Sequence, residues 1–92
     1  MSELSVYRTP QPIAALVLAH GAGAGQQSRF MVDAARGLAE RGIVTATFDF
    51  DYIRMGRKVP DRAPALEATW RATVAAARTH PDMAGLPLFI GG

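Results

Sequence analysis

The feature that most constrains this chain is an uninterrupted apolar run, Ile13 to Ala19, that breaks off into His20-Gly21-Ala22-Gly23-Ala24-Gly25. An apolar run bounded by Pro12 and a glycine loop suits a strand covered on both faces, as in a parallel sheet. Ile43 to Phe50 is β-branched and aromatic and reads as a second strand. Pro87 to Ile90, running into Gly91-Gly92, reads as a third. Two helical patterns separate them. Ser28 is a candidate N-cap for a helix over Arg29 to Arg41, and Gly42 stands where a C-terminal glycine belongs. Phe30, Ala34 and Leu38 share one face of that helix, with Met31 and Ala35 beside them. Pro64 suits the first turn of a second helix over Ala65 to Arg78, which Pro81 stops. That helix places Leu66, Trp70, Val74 and Ala77 on one face.

Strand–helix alternation implies an α/β fold: a parallel sheet with flanking helices, three layers deep (αβα), with right-handed crossovers. Ligands of such sheets bind at the carboxyl ends of the strands. The glycine loop, the arginine-rich stretch Asp51 to Ala63 and the Gly91-Gly92 pair all lie at those ends. Residues 1–12 form an extended N-terminal segment, because Pro10 and Pro12 exclude helix, with a short edge strand over Leu4 to Tyr7. Residues 13–92 form the domain proper.

Composition removes several function classes. Ninety-two residues, 49% hydrophobic and 20% charged, make one small globular domain. Net charge is only +2, and every basic residue except Lys58 is arginine, so no nucleic-acid partner is expected. The chain has no cysteine, which excludes disulfides and thiolate metal sites. His20 and His80 lie far apart without ligand-like neighbours, so no metal and no cofactor are expected. The longest apolar run falls far short of the ~20 residues a membrane span needs. The first residues lack the basic and apolar regions of a signal peptide, and a cytoplasmic location without membrane contact is the expectation.

A glycine loop between a strand and a helix exposes backbone N–H groups near the positive end of a helix dipole. Such a cradle stabilises a tetrahedral oxyanion or holds a phosphate; the plain alternative is a tight chain reversal. The dinucleotide fingerprint G-x-G-x-x-G fails, because its third glycine falls on Gln26 counted from Gly21 and on Ser28 counted from Gly23. A P-loop needs a lysine that this loop lacks. Arg54, Arg57, Lys58 and Arg62 offer an anion clamp or a partner surface; the alternative is a solvated loop with Arg62 paired to Asp49 or Asp51. Tyr52 is placed at the mouth of the site, Trp70 in the core and His80 on the surface. Neither Asp49 nor Asp51 stands where a catalytic acid is expected.

Five blocks in order, Leu16-Val-Leu-Ala-His-Gly-Ala-Gly-Ala-Gly25, Phe48-Asp-Phe-Asp-Tyr52, Pro60-Asp-Arg-Ala-Pro64, Leu66 with Trp70, and Leu88-Phe-Ile-Gly-Gly92, resemble one branch of the α/β-hydrolases. It is the branch of dienelactone-hydrolase-like proteins, with testis-expressed hydrolase-like proteins and a hydrolase-like chromatin-complex subunit. The resemblance spans residues 13–92 and implies the N-terminal half of a serine hydrolase acting on an ester, thioester or similar acyl bond. It implies that the backbone N–H of Ala22, with Gly23 second, forms half of an oxyanion hole. His20, Gly21 and Gly25 would support the loop. The nucleophilic serine would fall two positions past Gly92 and its acid and histidine later still, so these residues alone are expected to be inactive. Two alternatives remain: a non-catalytic interaction module on the same fold, and a Rossmann-like phosphate- or nucleotide-binding domain. The third strand's outer edge would be open, and self-association through it is expected.

Overall fold

The computed structural model describes residues 4–21, 25–57 and 59–92. Its elements in chain order are β1 (Ser5–Tyr7), β2 (Ala14–Ala19), α1 (Arg29–Glu40), β3 (Ile43–Phe48), α2 (Asp51–Arg54), α3 (Ala63–Thr79) and β4 (Leu88–Gly91). They form one sheet in the order β1-β3-β2-β4. β2 runs parallel to β3, with Ala14 opposite Ile43 and Ala19 opposite Phe48. It also runs parallel to β4, with Ala15 opposite Leu88 and Leu18 opposite Gly91. β1 pairs antiparallel with β3, Val6 opposite Ala46. The main strands are therefore parallel, as expected, and the edge strand makes the sheet mixed.

Side chains alternate across a strand, and the register sorts them into two faces. Ala15, Val17 and Ala19 of β2 join Val44, Ala46 and Phe48 of β3 in one buried core, closed by Ala77 of α3 and by Met83. On the other face of β3, Thr45 and Thr47 are fully buried, and α1 packs against that strand. Their hydroxyls are satisfied: Thr45 Oγ1 donates to the Ile43 carbonyl at 3.1 Å, and Thr47 Oγ1 to Gln26 Oε1 at 3.0 Å. Buried hydroxyls without such partners are costly.

The helix ends follow their signals. Ser28 Oγ accepts from the Met31 N–H at 3.4 Å, and Gly42 adopts φ +86° just past α1, a conformation that glycine takes without steric cost. Helix phases differ from expectation. Phe30 is 78% exposed, and Met31 and Ala35 are the buried residues of α1. The Ser28 cap sets a phase in which 31 and 35 meet the sheet, and Phe30, one position earlier, is swung outward by about 100°. In α3 the buried residues are Thr69, Thr73 and Ala77, with Leu66 and Trp70 half-buried. Val74 instead faces a groove beside Ile90.

Two further departures involve chain direction. β3 ends at Phe48, two residues early, because the Phe50 N–H donates to a side chain and not to a neighbouring strand. The expected loop after it opens with α2, a single turn carrying an Asp51–Arg54 ion pair at 2.9 Å. A turn of four residues is too short to show periodicity. His80 is half-buried at the end of α3, where its Nδ1 accepts from the Asp82 N–H at 3.1 Å.

Candidate functional site

β2 delivers His20 to the carboxyl edge of the sheet, where the ring is buried and both nitrogens are engaged. Nδ1 lies 2.7 Å from the Gly21 carbonyl, and Nε2 lies 3.1 Å from the Phe50 backbone nitrogen. A backbone N–H only donates, so Nε2 is the acceptor and Nδ1 carries the proton. The imidazole is therefore neutral and holds the start of the glycine loop to the exit of β3. Its ring meets Phe50 edge-on at 5.2 Å and Tyr52 at 5.9 Å. Phe48, Phe50 and Trp70 extend this cluster in edge-to-face pairs between 5.0 and 6.4 Å, an arrangement that aromatic quadrupoles favour.

The far end of the loop is held independently. Gln26 is buried; its backbone N–H donates to Asp49 Oδ1 at 2.7 Å and its Nε2 to Asp49 Oδ2 at 3.2 Å. Its Oε1 accepts from Thr47. Ser28 N–H closes a turn onto the Gly25 carbonyl at 3.1 Å, leading into α1. A Cβ on Gly25 would sit 2.7 Å from Asp49 Oδ1 and 2.9 Å from Ile53 Cγ2, whereas Gly21 has open space around it. Gly25→Ala is therefore expected to cost about 1–3 kcal/mol by overpacking. Gly21→Ala should stay within about 0.5 kcal/mol, the range of unconstrained surface changes. Urea midpoints of the two variants check this directly; equal midpoints would contradict it.

Ala22 and Gly23, the expected oxyanion donors, lie outside the described residues, as does Lys58. Tyr52 is buried at 3% exposure and not at a mouth. Its N–H donates to Asp61 Oδ2 at 3.1 Å, and Asp61 Oδ1 pairs with Arg57 at 2.8 Å. Arg57 thus spends its charge on the loop's own carboxylate. Arg62 is exposed at the N-cap of α3 and makes no side-chain capping bond. Asp51 is paired with Arg54, and Asp49 is engaged by Gln26. Asp49, expected to pair with Arg62 if at all, instead meets Gln26, and neither the role of Gln26 nor that of Asp61 is visible in the sequence. The signals available were a glutamine directly after the glycine loop and an aspartate where an apolar strand ends.

β4 leaves the sheet beside β2. A Cβ on Gly92 would lie 3.1 Å from the Ala19 Cβ and 3.4 Å from the Ala19 carbonyl oxygen, so only a residue without a side chain passes there comfortably. The two strand exits are thereby held together. A surface groove of about 390 Å3, lined by Trp70, Arg71, Val74, Ala75, Arg78 and Ile90, lies between α3 and β4. Among the described residues no cluster of ionisable side chains is arranged to hold a metal, and no helix is long and apolar enough to cross a membrane.

A glycine loop latched at the carboxyl end of an inner parallel strand, beside a small-residue exit from the next strand, defines a hydrolase-type α/β domain. Residues 12–92 match the sequence model of the alpha/beta hydrolase domain family, and the chain belongs to that family. Comparison with curated protein sequences returned no match.

Proposed function

We propose that residues 13–92 are the oxyanion-forming half of a serine hydrolase that cleaves an ester, thioester or similar small acyl substrate. The observation that carries this reading is the meeting of two strand exits: the His20-latched loop after β2 and the Gly92 exit of β4, packed against Ala19. A nucleophile turn following β4 would present its hydroxyl beside the backbone N–H groups of the glycine loop, where charge develops during acyl transfer. The dienelactone-hydrolase-like branch is the finer assignment we favour, on the five sequence blocks. Steady-state hydrolysis of p-nitrophenyl esters and acyl thioesters by the natural polypeptide carrying these residues tests the reading. Saturable turnover supports it; no turnover of any acyl compound contradicts it.

One observation favours a second reading, an interaction module. β4 is the outermost strand of the described sheet, and its Phe89 and Ile90 are each 59% exposed. The strand Leu88–Gly91 carries no charge that would deter edge pairing. Residues 1–92 by themselves are expected to self-associate through this edge. Sedimentation should show concentration-dependent association that Phe89→Lys reduces; a monomer at all concentrations would contradict it.

A further inference from the structure

Both ends of the glycine loop are tied to consecutive residues at the exit of β3. At the entrance, His20 Nε2 accepts from the Phe50 N–H. At the far end, the Gln26 backbone and side chain both donate to Asp49. We infer that Asp49, acting through Gln26, is a positioning residue that fixes the far end of the glycine loop, at Gly25 and Gln26, against the exit of β3; this rests on the acyl-hydrolase reading. Asp49 does not touch the reacting atoms in this role. Its carboxylate fixes the Gln26 backbone, and the missing side chain at Gly25 lets it approach, because a Cβ there would lie 2.7 Å from Asp49 Oδ1.

Polarity makes the arrangement testable. Asp49 accepts only, so Gln26 Nε2 must face it and Oε1 must face Thr47, as the 3.2 and 3.0 Å contacts have it. Gln26→Glu sets a second carboxylate against Asp49 and pushes the loop's far end away from β3. Asp49→Asn alone is mild, because the Gln26 amide can rotate and the Thr47 hydroxyl can accept as well as donate. Combined, Q26E and D49N restore complementarity: the new amide donates to the new carboxylate, which still accepts from Thr47.

The experiment is a double-mutant cycle in the natural polypeptide, measuring kcat and KM for an ester substrate with urea midpoints in parallel. Q26E is expected to lower kcat by about 10²-fold, the scale of a small misplacement of catalytic groups. KM is expected to change little, because the lost interaction belongs to the transition state. D49N is expected to lower kcat far less, and the double variant to recover most of the loss. A kcat untouched by Q26E, or a double variant no better than Q26E, overturns the inference while wild-type turnover leaves the hydrolase reading intact. A loss of midpoint with unchanged kcat assigns the network a structural role only and also overturns it. A wild type without acyl hydrolysis removes the hydrolase reading, and the inference falls with it.

Discussion

Phe48→Ala is expected to leave residues 1–92 without a cooperative unfolding transition. Phe48 is fully buried and packs edge-on against Phe50 at 5.0 Å and Trp70 at 5.2 Å, so it joins β3 to α3. Truncating a buried phenylalanine costs about 3–5 kcal/mol, in lost transfer energy and in the cavity left behind. A domain's whole stability is only ~5–15 kcal/mol. A small domain with an open sheet edge sits toward the lower limit, since the fraction of surface buried falls with size. Phe30→Ala is the control. That side chain is 78% exposed, and its loss should stay within about 0.5 kcal/mol. Far-UV circular dichroism together with Trp70 fluorescence in urea separates the two. Equal effects would mean that α1 docks in the other phase, with Phe30 beneath it.

The second large effect is expected at His20. His20→Ala orphans the Phe50 N–H in a buried setting and removes the ring between Phe50 and Tyr52. An unsatisfied buried donor costs about 1–3 kcal/mol, and the lost packing adds to it. In the natural polypeptide the loop would shift, and kcat should fall by about 10²-fold, the scale of losing one oxyanion donor. It should not fall by the ~10⁶-fold that removing a triad base has cost elsewhere, because both nitrogens of His20 are committed to backbone groups. Measuring kcat for H20A decides between these. A loss on the triad scale would make His20 a proton carrier and contradict the latch.

What the sequence made legible follows from where its signals come from. β2 stands out because a strand covered on both faces is apolar throughout, and β3 because its residues are β-branched and aromatic. α1 begins where Ser28 caps it and ends where Gly42 takes positive φ, and both are local requirements of the backbone. That β2, β3 and β4 run parallel is equally legible, since strand–helix alternation implies it. The burial phase of the helices was not. Thr69 and Thr73 are buried while Phe30 faces solvent, and hydropathy ranks them the other way. In the site, His20 was visible because it opens the glycine loop. Gln26 and Asp49 were not, because they are separated by 23 positions and each is polar. Burial of such a pair depends on mutual hydrogen bonding, which no local pattern records. The sequence overstates β3 by two residues for a related reason: Asp49 and Phe50 keep the strand's alternation of residue types, but the Phe50 N–H donates to His20 and the Asp49 carboxylate accepts from Gln26.

The central claim, that the loop after β2 and the exit of β4 build one acyl-transfer site, is tested most directly by mapping where a fluorophosphonate attaches to the natural polypeptide carrying residues 1–92. The account predicts a single labelled serine at the second position after Gly92, with labelling diminished by His20→Ala and abolished by heat denaturation. Attachment at a residue remote from the β4 exit, or no attachment by a polypeptide that is folded, would contradict it.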